Sequence, residues 1–491
     1  MHRPTLPIEG LPAWAHLNDV SFHGVKVVNT EGKGYGVVSD TDLEATDDTS
    51  DAPALLTVPH DLVLNAAAVE EYAKEDKNFR QLLDAIGRRS TRADVLLFLL
   101  VQTVLASRSG HSAVGVSNPW TEYLKFLPET VLVPTLWTED ERLLLRGTSL
   151  EAAVDAKISA LDAEFGLVQE KSSDIISWND LLWAEGASVS FTDWIRLDAL
   201  YRSRCLELPR SGESMVPCVD MLNHSAAPSA YYDETPKDEV ILLPRPGTTG
   251  IPKGAEITIS YGADKSAAEM LFSYGFIDPG STADSLVLPL APFPDDPLAK
   301  AKLVAFGEAP QIHVAREEEE AGNGLAAVRW ASAFAHLMCV NEEDGLEFRV
   351  LQQTDGARQL RVFWQEEDVT DQAGEFEALV QTHPLAAVVR LRVVTVVQEA
   401  LRAQLERLGS AVAVPAAAAA SPQQRREDCV RAAMLLREIE TKLLEAAVET
   451  LEEERSSLLT DRNVVAYLGL TEAAESGLAG DEVSNEPDDF S

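Results

Sequence analysis

The chain has 491 residues, which exceeds one ordinary hydrophobic core and predicts two domains or one domain with a large insertion. Its hydrophobic and charged fractions, 45% and 25%, are typical of a soluble globular protein. The formal net charge of −39 argues against direct nucleic-acid binding, which needs basic patches, but allows attraction of a basic protein.

The first part of the chain has the pattern of short strands around a glycine-dense turn. Val25–Val28 predicts a strand that runs into the glycines of residues 32–36, and Ala54–Val58 predicts a second strand ending at Pro59. Between them, the acidic stretch 40–51 predicts an exposed loop.

A helical pattern follows from about residue 61 to 203. Its strongest apolar run, Val95–Val101, is too short for a membrane span and predicts a buried helix. The amino terminus has no apolar signal core, so we expect a cytoplasmic or nuclear protein without a membrane partner. The four cysteines are widely scattered and predict neither a disulfide framework nor a structural metal site.

Strand patterns return at Val240–Leu243 and Ile257–Ser260, after which the chain becomes mainly helical. Short strands separated by helices predict an α+β fold with one β-rich domain that a helical insertion interrupts. We place this domain at residues 20–283, with the insertion at about 65–203. A helical domain follows at 284–470, and an acidic disordered tail at 471–491.

Three short motifs could carry chemistry. Gly34-Tyr35-Gly36 is a turn whose backbone can approach a ligand closely. A Rossmann-type nucleotide site is excluded there, because a helix would have to open straight after the turn and an acidic loop follows instead. The pair Asn223-His224 lies in a hydrophobic segment, where polar side chains need partners. Two Tyr-Gly pairs, at Tyr261 and Tyr274, each end an apolar run, and Phe276 follows the second pair.

The order and combination of these motifs resemble the split SET domain of the Rubisco large-subunit methyltransferase branch. Leu55–Pro59, Trp120–Pro128 and Ser203-Arg204 are similar to further segments of that branch. The resemblance covers nearly all of residues 20–280 and extends more weakly to the C-terminal helices, which look like that branch's substrate-binding domain. It implies an S-adenosylmethionine-dependent protein-lysine methyltransferase that needs no metal.

The resemblance also implies roles for single residues. Tyr261 would be the catalytic tyrosine and would also contact S-adenosylmethionine, while Tyr274 and Phe276 would line the substrate channel. The remaining cofactor contacts would come from Gly34, Tyr35, Gly36, Arg204, Asn223 and His224. The protein substrate is expected to be basic, such as a non-histone or ribosomal protein, and the sequence indicates no oligomeric state.

Some positions depart from the pattern of that branch. Ala267 stands where asparagine is common, and Cys205 follows the Ser-Arg segment in place of an aromatic residue. Tyr231 and Tyr232 are both candidates for a further channel aromatic. Two alternative functions stay open, namely histidine methylation and a non-catalytic SET module that binds a partner protein.

Overall fold

A computed structural model describes residues 4–44, 53–88, 90–107, 114–183, 189–247, 250–281, 283–316, 327–352, 358–411 and 425–469. Among these residues, no helix combines the length and apolar character needed to cross a membrane. Most of the predicted acidic loop and the predicted disordered tail lie outside the described residues. The chain divides into two compact units, the first formed by 1–145, 150–283 and 423–435, and the second by the rest.

The strands of the first unit form small sheets that the helical insertion separates in sequence. One sheet has the order β1-β4-β9-β8, a second has the order β2-β3-β10-β7, and β5 pairs with β6 as a hairpin. Their bounds are β1 Ser21–Phe22, β2 Val25–Thr30, β3 Gly34–Ser39, β4 Leu56–Val58, β5 Cys205–Leu208, β6 Gly212–Met215, β7 Asn223–His224, β8 Ala230–Glu234, β9 Val240–Pro244 and β10 Glu256–Ile259.

The helices and strands of the first unit share one hydrophobic core, and most of the helices lie between β4 and β5, where the insertion was predicted. The run Val95–Val101 is buried on all sides within α4, as expected for a helix that is apolar around its whole circumference. The helices are α1 Leu11–Leu17, α2 Ala66–Glu75, α3 Lys77–Ile86, α4 Thr91–Ser107, α5 Pro119–Tyr123, α6 Glu139–Arg142, α7 Leu150–Ser173, α8 Ile176–Leu182, α9 Phe191–Arg204 and α10 Ala267–Tyr274.

The second unit is mainly helical but also has two three-stranded sheets, β11-β12-β13 and β14-β15-β16, which the sequence analysis did not predict. Its strands are β11 Ser285–Pro289, β12 Gln311–Arg316, β13 Val328–Ala331, β14 Leu346–Gln352, β15 Arg358–Trp364 and β16 Glu367–Asp368. Its helices are α11 Ala299–Phe306, α12 Ala333–Cys339, α13 Phe376–Gln381, α14 Ala386–Ala411, α15 Glu427–Leu458, which begins in the first unit, and α16 Arg462–Tyr467.

The start of α15 belongs to the first unit, although the sequence analysis assigned all of 284–470 to a separate domain. An ion pair explains this attachment. The buried carboxylate of Glu141 accepts hydrogen bonds from the Arg426 backbone N–H at 2.9 Å, from its Nε at 2.9 Å and from its Nη2 at 2.7 Å. The hydrogen bonds from Arg426 lower the pKa of Glu141 from 4.5 to about 2.

This ion pair predicts a pH-dependent contribution to stability. Because the pKa of Glu141 is lower in the folded state, its contribution is complete above pH 4.5 and is lost as the pH falls towards 2. We expect Glu141→Gln to reduce the free energy of unfolding by about 1–2 kcal/mol at neutral pH, since Arg426 is partly solvated. Urea denaturation should show the difference shrinking as the medium is acidified.

Glu139→Gln is the matched control, because it removes an exposed carboxylate from the first turn of the same helix. It should change stability by less than about 0.5 kcal/mol. An equal loss in both variants would show that the Glu141–Arg426 pair does not stabilise the first unit.

Candidate active site

Parallel pairing of two short strands builds the centre of the site. Asn223 pairs with Thr258 and His224 with Ile259, so β7 lies alongside β10 although the two strands are distant in sequence. Tyr261 follows the end of β10, and its backbone N–H donates to Nδ1 of His224 at 3.0 Å. The Asn-His motif and the first Tyr-Gly motif are therefore joined by backbone pairing and by a side-chain hydrogen bond.

His224 uses both ring nitrogens within the protein. Because Nδ1 accepts from Tyr261, the proton of the neutral ring lies on Nε2, which is 3.2 Å from Oδ2 of Asp278. Burial lowers the pKa of His224 in spite of the nearby Asp278 carboxylate. The imidazole is consequently neutral near neutral pH and positions Tyr261. Asp278 was not foreseen from the sequence.

Tyr261 lies within a cluster of aromatic rings. Its hydroxyl donates to the Leu222 carbonyl at 2.6 Å, and its ring centroid is 4.5 Å from that of Tyr274. The Tyr274 hydroxyl donates in turn to the Tyr261 carbonyl at 3.2 Å, and Phe276 lies 6.3 Å from the Tyr261 ring. Burial raises the pKa of Tyr261 well above its usual value and that of Tyr274 to about 12, so both are neutral phenols.

The Gly-Tyr-Gly motif, which was predicted to be a turn, forms the start of β3, and its two glycines serve different purposes. Gly34 has a φ of 79°, in the left-handed region that glycine adopts without strain. At Gly36 a Cβ atom would lie 2.6 Å from Oγ1 of Thr30 and 2.8 Å from Nδ2 of Asn223. Gly36 therefore leaves room for Asn223, whose Nδ2 donates to Oε1 of Glu256 at 2.7 Å.

A buried polar network holds Arg204 beside this centre. Its Nη1 donates to the Asp220 carbonyl at 2.6 Å and lies 3.7 Å from Oδ2 of the same residue. The Tyr123 hydroxyl donates to Oδ1 of Asp220 and accepts from the Cys218 N–H at 2.7 Å. Cys218 has a φ of 70°, so this hydroxyl supports a turn that non-glycine residues rarely adopt. Tyr123 and Asp220 were both missed as site residues, although Tyr123 lies in the quoted insertion motif.

Two cavities meet at Tyr261. The larger one, of about 690 Å³, contains the glycine turn and the Asn-His pair, and we call it the cofactor-side cavity. The smaller one, of about 310 Å³, is the acceptor-side cavity, and Tyr232 lines it while Tyr231 does not. Both cavities share Ser203, Arg204, Asp220, Leu222, Tyr261 and Tyr274. The structure thus brings all the predicted site residues together, but Gly36 lies behind the cofactor-side wall and Phe276 lines that cavity only.

The cofactor-side cavity has polar groups that fit a zwitterionic ligand. Nε of Arg204 is buried and has no hydrogen-bond partner among the described residues, so it can donate to a carboxylate. Nδ2 of Asn223 is engaged by Glu256, which leaves its Oδ1 to accept a hydrogen bond from an amine. The backbone of Gly34 and Tyr35 lines the same cavity. These residues suit the amino-acid part of S-adenosylmethionine.

The crowding at Gly36 generates a test of this geometry. Gly36→Ala should displace Asn223 and Thr30 and lower the free energy of unfolding by about 1–3 kcal/mol. Gly166→Ala is the control, because Gly166 lies within α7 and an added Cβ would meet nothing within 4 Å. The control should stabilise the protein by up to about 1 kcal/mol, as alanine favours a helix. Thermal unfolding of both variants measures the difference, and equal stability would contradict the crowding.

The sequence is similar to those of known methyltransferases, although no family model matches it. It is 26% identical over 426 residues to SET domain-containing protein 8 of Schizosaccharomyces pombe, covering 84% of this chain and 89% of that protein. It is 27% identical over 303 residues to the chloroplastic ribulose-1,5 bisphosphate carboxylase/oxygenase large subunit N-methyltransferase of Pisum sativum. That alignment covers 58% of this chain and 56% of the pea protein.

The fold of this chain is also similar to that of a solved crystal structure. The crystal structure of the SET domain of LSMT bound to lysine and AdoHcy superposes with a TM-score of 0.64 at 19% identity, covering 96% of each chain. The chain is therefore similar in sequence to SET-domain proteins that include lysine methyltransferases of the Rubisco LSMT type, and it has the same α+β fold as the solved SET domain of LSMT.

Proposed function

We propose that this chain is an S-adenosylmethionine-dependent protein-lysine N-methyltransferase. The observation that carries the proposal is the meeting of two cavities at Tyr261. One cavity fits the cofactor, and the other offers a separate path for an acceptor side chain. Two reactants that enter from different cavities meet without competing for one opening, and their fixed orientation supplies much of the rate of a displacement reaction.

On the cofactor side, the residues bind and orient. The bound cofactor supplies a methyl group on a positively charged sulfur. Arg204 and Asn223 are placed to hold its carboxylate and its amine, and the Gly34 backbone follows the cavity wall. The electron-rich faces of Tyr261 and Phe276 tolerate a positive charge nearby.

On the acceptor side, the residues favour a neutral amine. A lysine side chain has a pKa of about 10.4 in water and cannot attack while it is protonated. Near Tyr261 the flanking rings of Tyr274 and His224 are neutral, and burial disfavours a charged ammonium. His224 cannot act as the base, because the lone pair of its Nδ1 accepts from the Tyr261 N–H and its Nε2 carries the proton of the neutral ring. We propose that the lysine proton leaves to solvent before transfer.

Removing the Tyr261 hydroxyl tests the centre of this proposal. We expect Tyr261→Phe to lower kcat about 100-fold while cofactor affinity changes little, because Tyr261 lines both cavities and its hydroxyl, held by the Leu222 carbonyl, is a polar group where the reactants meet. Calorimetric titration with S-adenosylmethionine and single-turnover methylation measure the two quantities separately. Full turnover in this variant would refute the catalytic assignment.

Tyr72→Phe is a matched control for lost stability. The Tyr72 hydroxyl is also buried and donates to the Val116 carbonyl at 2.8 Å, but it lines neither cavity of the site. Both variants should lose about 1 kcal/mol of stability. Only Tyr261→Phe should lose turnover, which separates a catalytic effect from a general weakening of the fold.

We further propose that the acceptor is a lysine of a basic, non-histone protein of the cytoplasm or nucleus, such as a ribosomal or translation protein. The net charge of −39 supports a basic partner by long-range attraction. Incubation with labelled cofactor and an extract of the source cells identifies the labelled protein. Mass spectrometry of its peptides then distinguishes lysine from histidine methylation.

The second unit is proposed to recognise that protein substrate. The side chains of Glu438, Glu445 and Glu449 are exposed along α15; Glu445 and Glu449 present negative charge, and Glu438 pairs with Lys442 at 2.6 Å. Glu440, on the same helix, is buried instead and accepts hydrogen bonds from the Ser149 N–H at 3.1 Å and its hydroxyl at 2.5 Å. Only the exposed acids of this helix can therefore meet a basic partner.

Neutralising these charges tests the recognition role. Replacing Glu438, Glu445 and Glu449 together by glutamine should raise the KM for the labelled protein several-fold at low salt and leave kcat unchanged. The effect should fade at high ionic strength, because exposed charges are screened. Steady-state kinetics at two salt concentrations provide the measurement.

The control neutralises three exposed acids elsewhere in the second unit, Asp295, Glu308 and Glu343. An equal rise of KM in the control would mean that net charge alone acts, without a defined surface on α15. An unchanged KM in both variants would mean that these acids do not recognise the substrate.

A further inference from the structure

The β5–β6 hairpin brings two carboxylates to the wall of the acceptor-side cavity. Glu207 and Glu213 are directly paired across the hairpin, so their side chains lie on the same face. Cys205, two positions before Glu207, shares that face, and all three residues line the cavity. Both glutamates are exposed, so they lie where the cavity opens to solvent.

Two like charges directly opposite each other destabilise a hairpin unless a cation lies between them. Neither carboxylate forms an ion pair with any residue in the described part of the chain. Two of the three nearby cations are directed elsewhere, because Arg202 donates to Asp198 at 2.8 Å and Arg204 contacts Asp220. The third, Lys265, also lines the cavity but forms no ion pair with either glutamate in the described part of the chain. The hairpin therefore presents a negative charge that the described chain does not neutralise.

Two further observations place negative charge in this cavity. Burial raises the pKa of the Cys205 thiol to about 12, and the fields of Glu213 and Glu207 add to the rise. Asp220 also lines the cavity and is 7% exposed. Its Oδ1 accepts from the Tyr123 hydroxyl, and its Oδ2 accepts no hydrogen bond from a described residue but lies 3.7 Å from Nη1 of Arg204.

We propose that Glu207 and Glu213 form an anionic rim that binds a basic residue next to the acceptor lysine. This inference rests on the proposed methyltransferase function and adds a substrate class to it, namely segments in which a lysine is flanked by lysine or arginine. The rim does not bind the reacting amine itself, because the two carboxylates are exposed whereas Tyr261 is half-buried among aromatic rings. A carboxylate beside the reacting amine would also hold it as an ammonium.

The rim therefore acts on binding and not on the chemical step. A flanking basic side chain that reaches the rim gains attraction from two carboxylates while it stays partly solvated. Attraction of this kind is moderate and sensitive to salt. The rim consequently determines which substrates bind well. Its removal should raise KM and the dissociation constant and leave kcat unchanged.

The test compares two synthetic probes. Each is a short alanine–serine peptide with a central lysine, flanked on both sides by arginine in the first probe and by glutamine in the second. Fluorescence anisotropy gives the dissociation constants, and methyl transfer gives kcat and KM. Wild-type protein should bind the arginine-flanked probe about tenfold more tightly at low salt. The double variant Glu207→Gln/Glu213→Gln should lose that preference.

The control is Glu75→Gln/Asp162→Asn, which removes two charges from exposed positions of helices in the same unit that line neither cavity of the site. It should keep the preference for arginine. Calorimetric titration with S-adenosylmethionine verifies that each variant retains a folded cofactor-side cavity. Charge reversal at the rim, Glu207→Lys/Glu213→Lys, should favour a probe with glutamate flanks.

The outcomes separate the two proposals. Three results would overturn the proposal that the rim binds a flanking basic residue. They are an unchanged preference in the glutamine double variant, an equal loss of preference in the control, and no preference in the wild-type protein. If binding of the arginine-flanked probe depends on the rim but no lysine is methylated, the rim proposal is supported and the proposed reaction is refuted. If the methylation kinetics are the same for both probes, the reaction is supported and the rim proposal is refuted.

Discussion

The site depends on the parallel pairing of β7 with β10. Each of these strands is short, and their pairing register at Asn223–Thr258 and His224–Ile259 joins two distant parts of the sequence. The hydrogen bond from the Tyr261 N–H to His224 completes the junction at 3.0 Å, and Asp278 fixes the other side of the imidazole. A slip of one residue would turn every side chain of β7 to the opposite face, so this register sets the two cavities at once.

The helical insertion between β4 and β5 also supports the site. Tyr123, from the end of α5, is fully buried, and its hydroxyl links the strained turn at Cys218 to the carboxylate of Asp220. Asp220 then holds Arg204, which lines both cavities. A helical segment far from β7 in sequence thus supports the turn that leads into it. Backbone strain of this kind persists only where the surrounding structure holds it in place.

Local patterns in the sequence allowed the site to be predicted better than the second unit. Four strands of the first unit (β2, β4, β9 and β10), the buried Val95–Val101 helix and the convergence on Tyr261 could be predicted from apolar runs and motifs. Asp278, Tyr123 and the spatial role of Gly36 could not, because each depends on a partner distant in sequence. The β11–β12 pair had a readable alternation, with buried residues at every second position, and was overlooked. β14 is largely exposed after Leu346 and gives no such alternation.

The charges of the acceptor-side cavity change from its opening to its centre. The opening carries two unneutralised carboxylates, Glu207 and Glu213, whereas the rings around Tyr261 are neutral. An incoming lysine is attracted as a cation and must become a neutral amine before it can attack. Unpaired anionic groups at the opening and neutral aromatic groups inside meet both requirements, because an unpaired carboxylate at the centre would stabilise the unreactive ammonium. The Asp220 carboxylate, which lines both cavities, is paired with Arg204. The carboxylates that attract the lysine are therefore separate from the centre where it reacts, because the amine must bind as a cation and react as a neutral group.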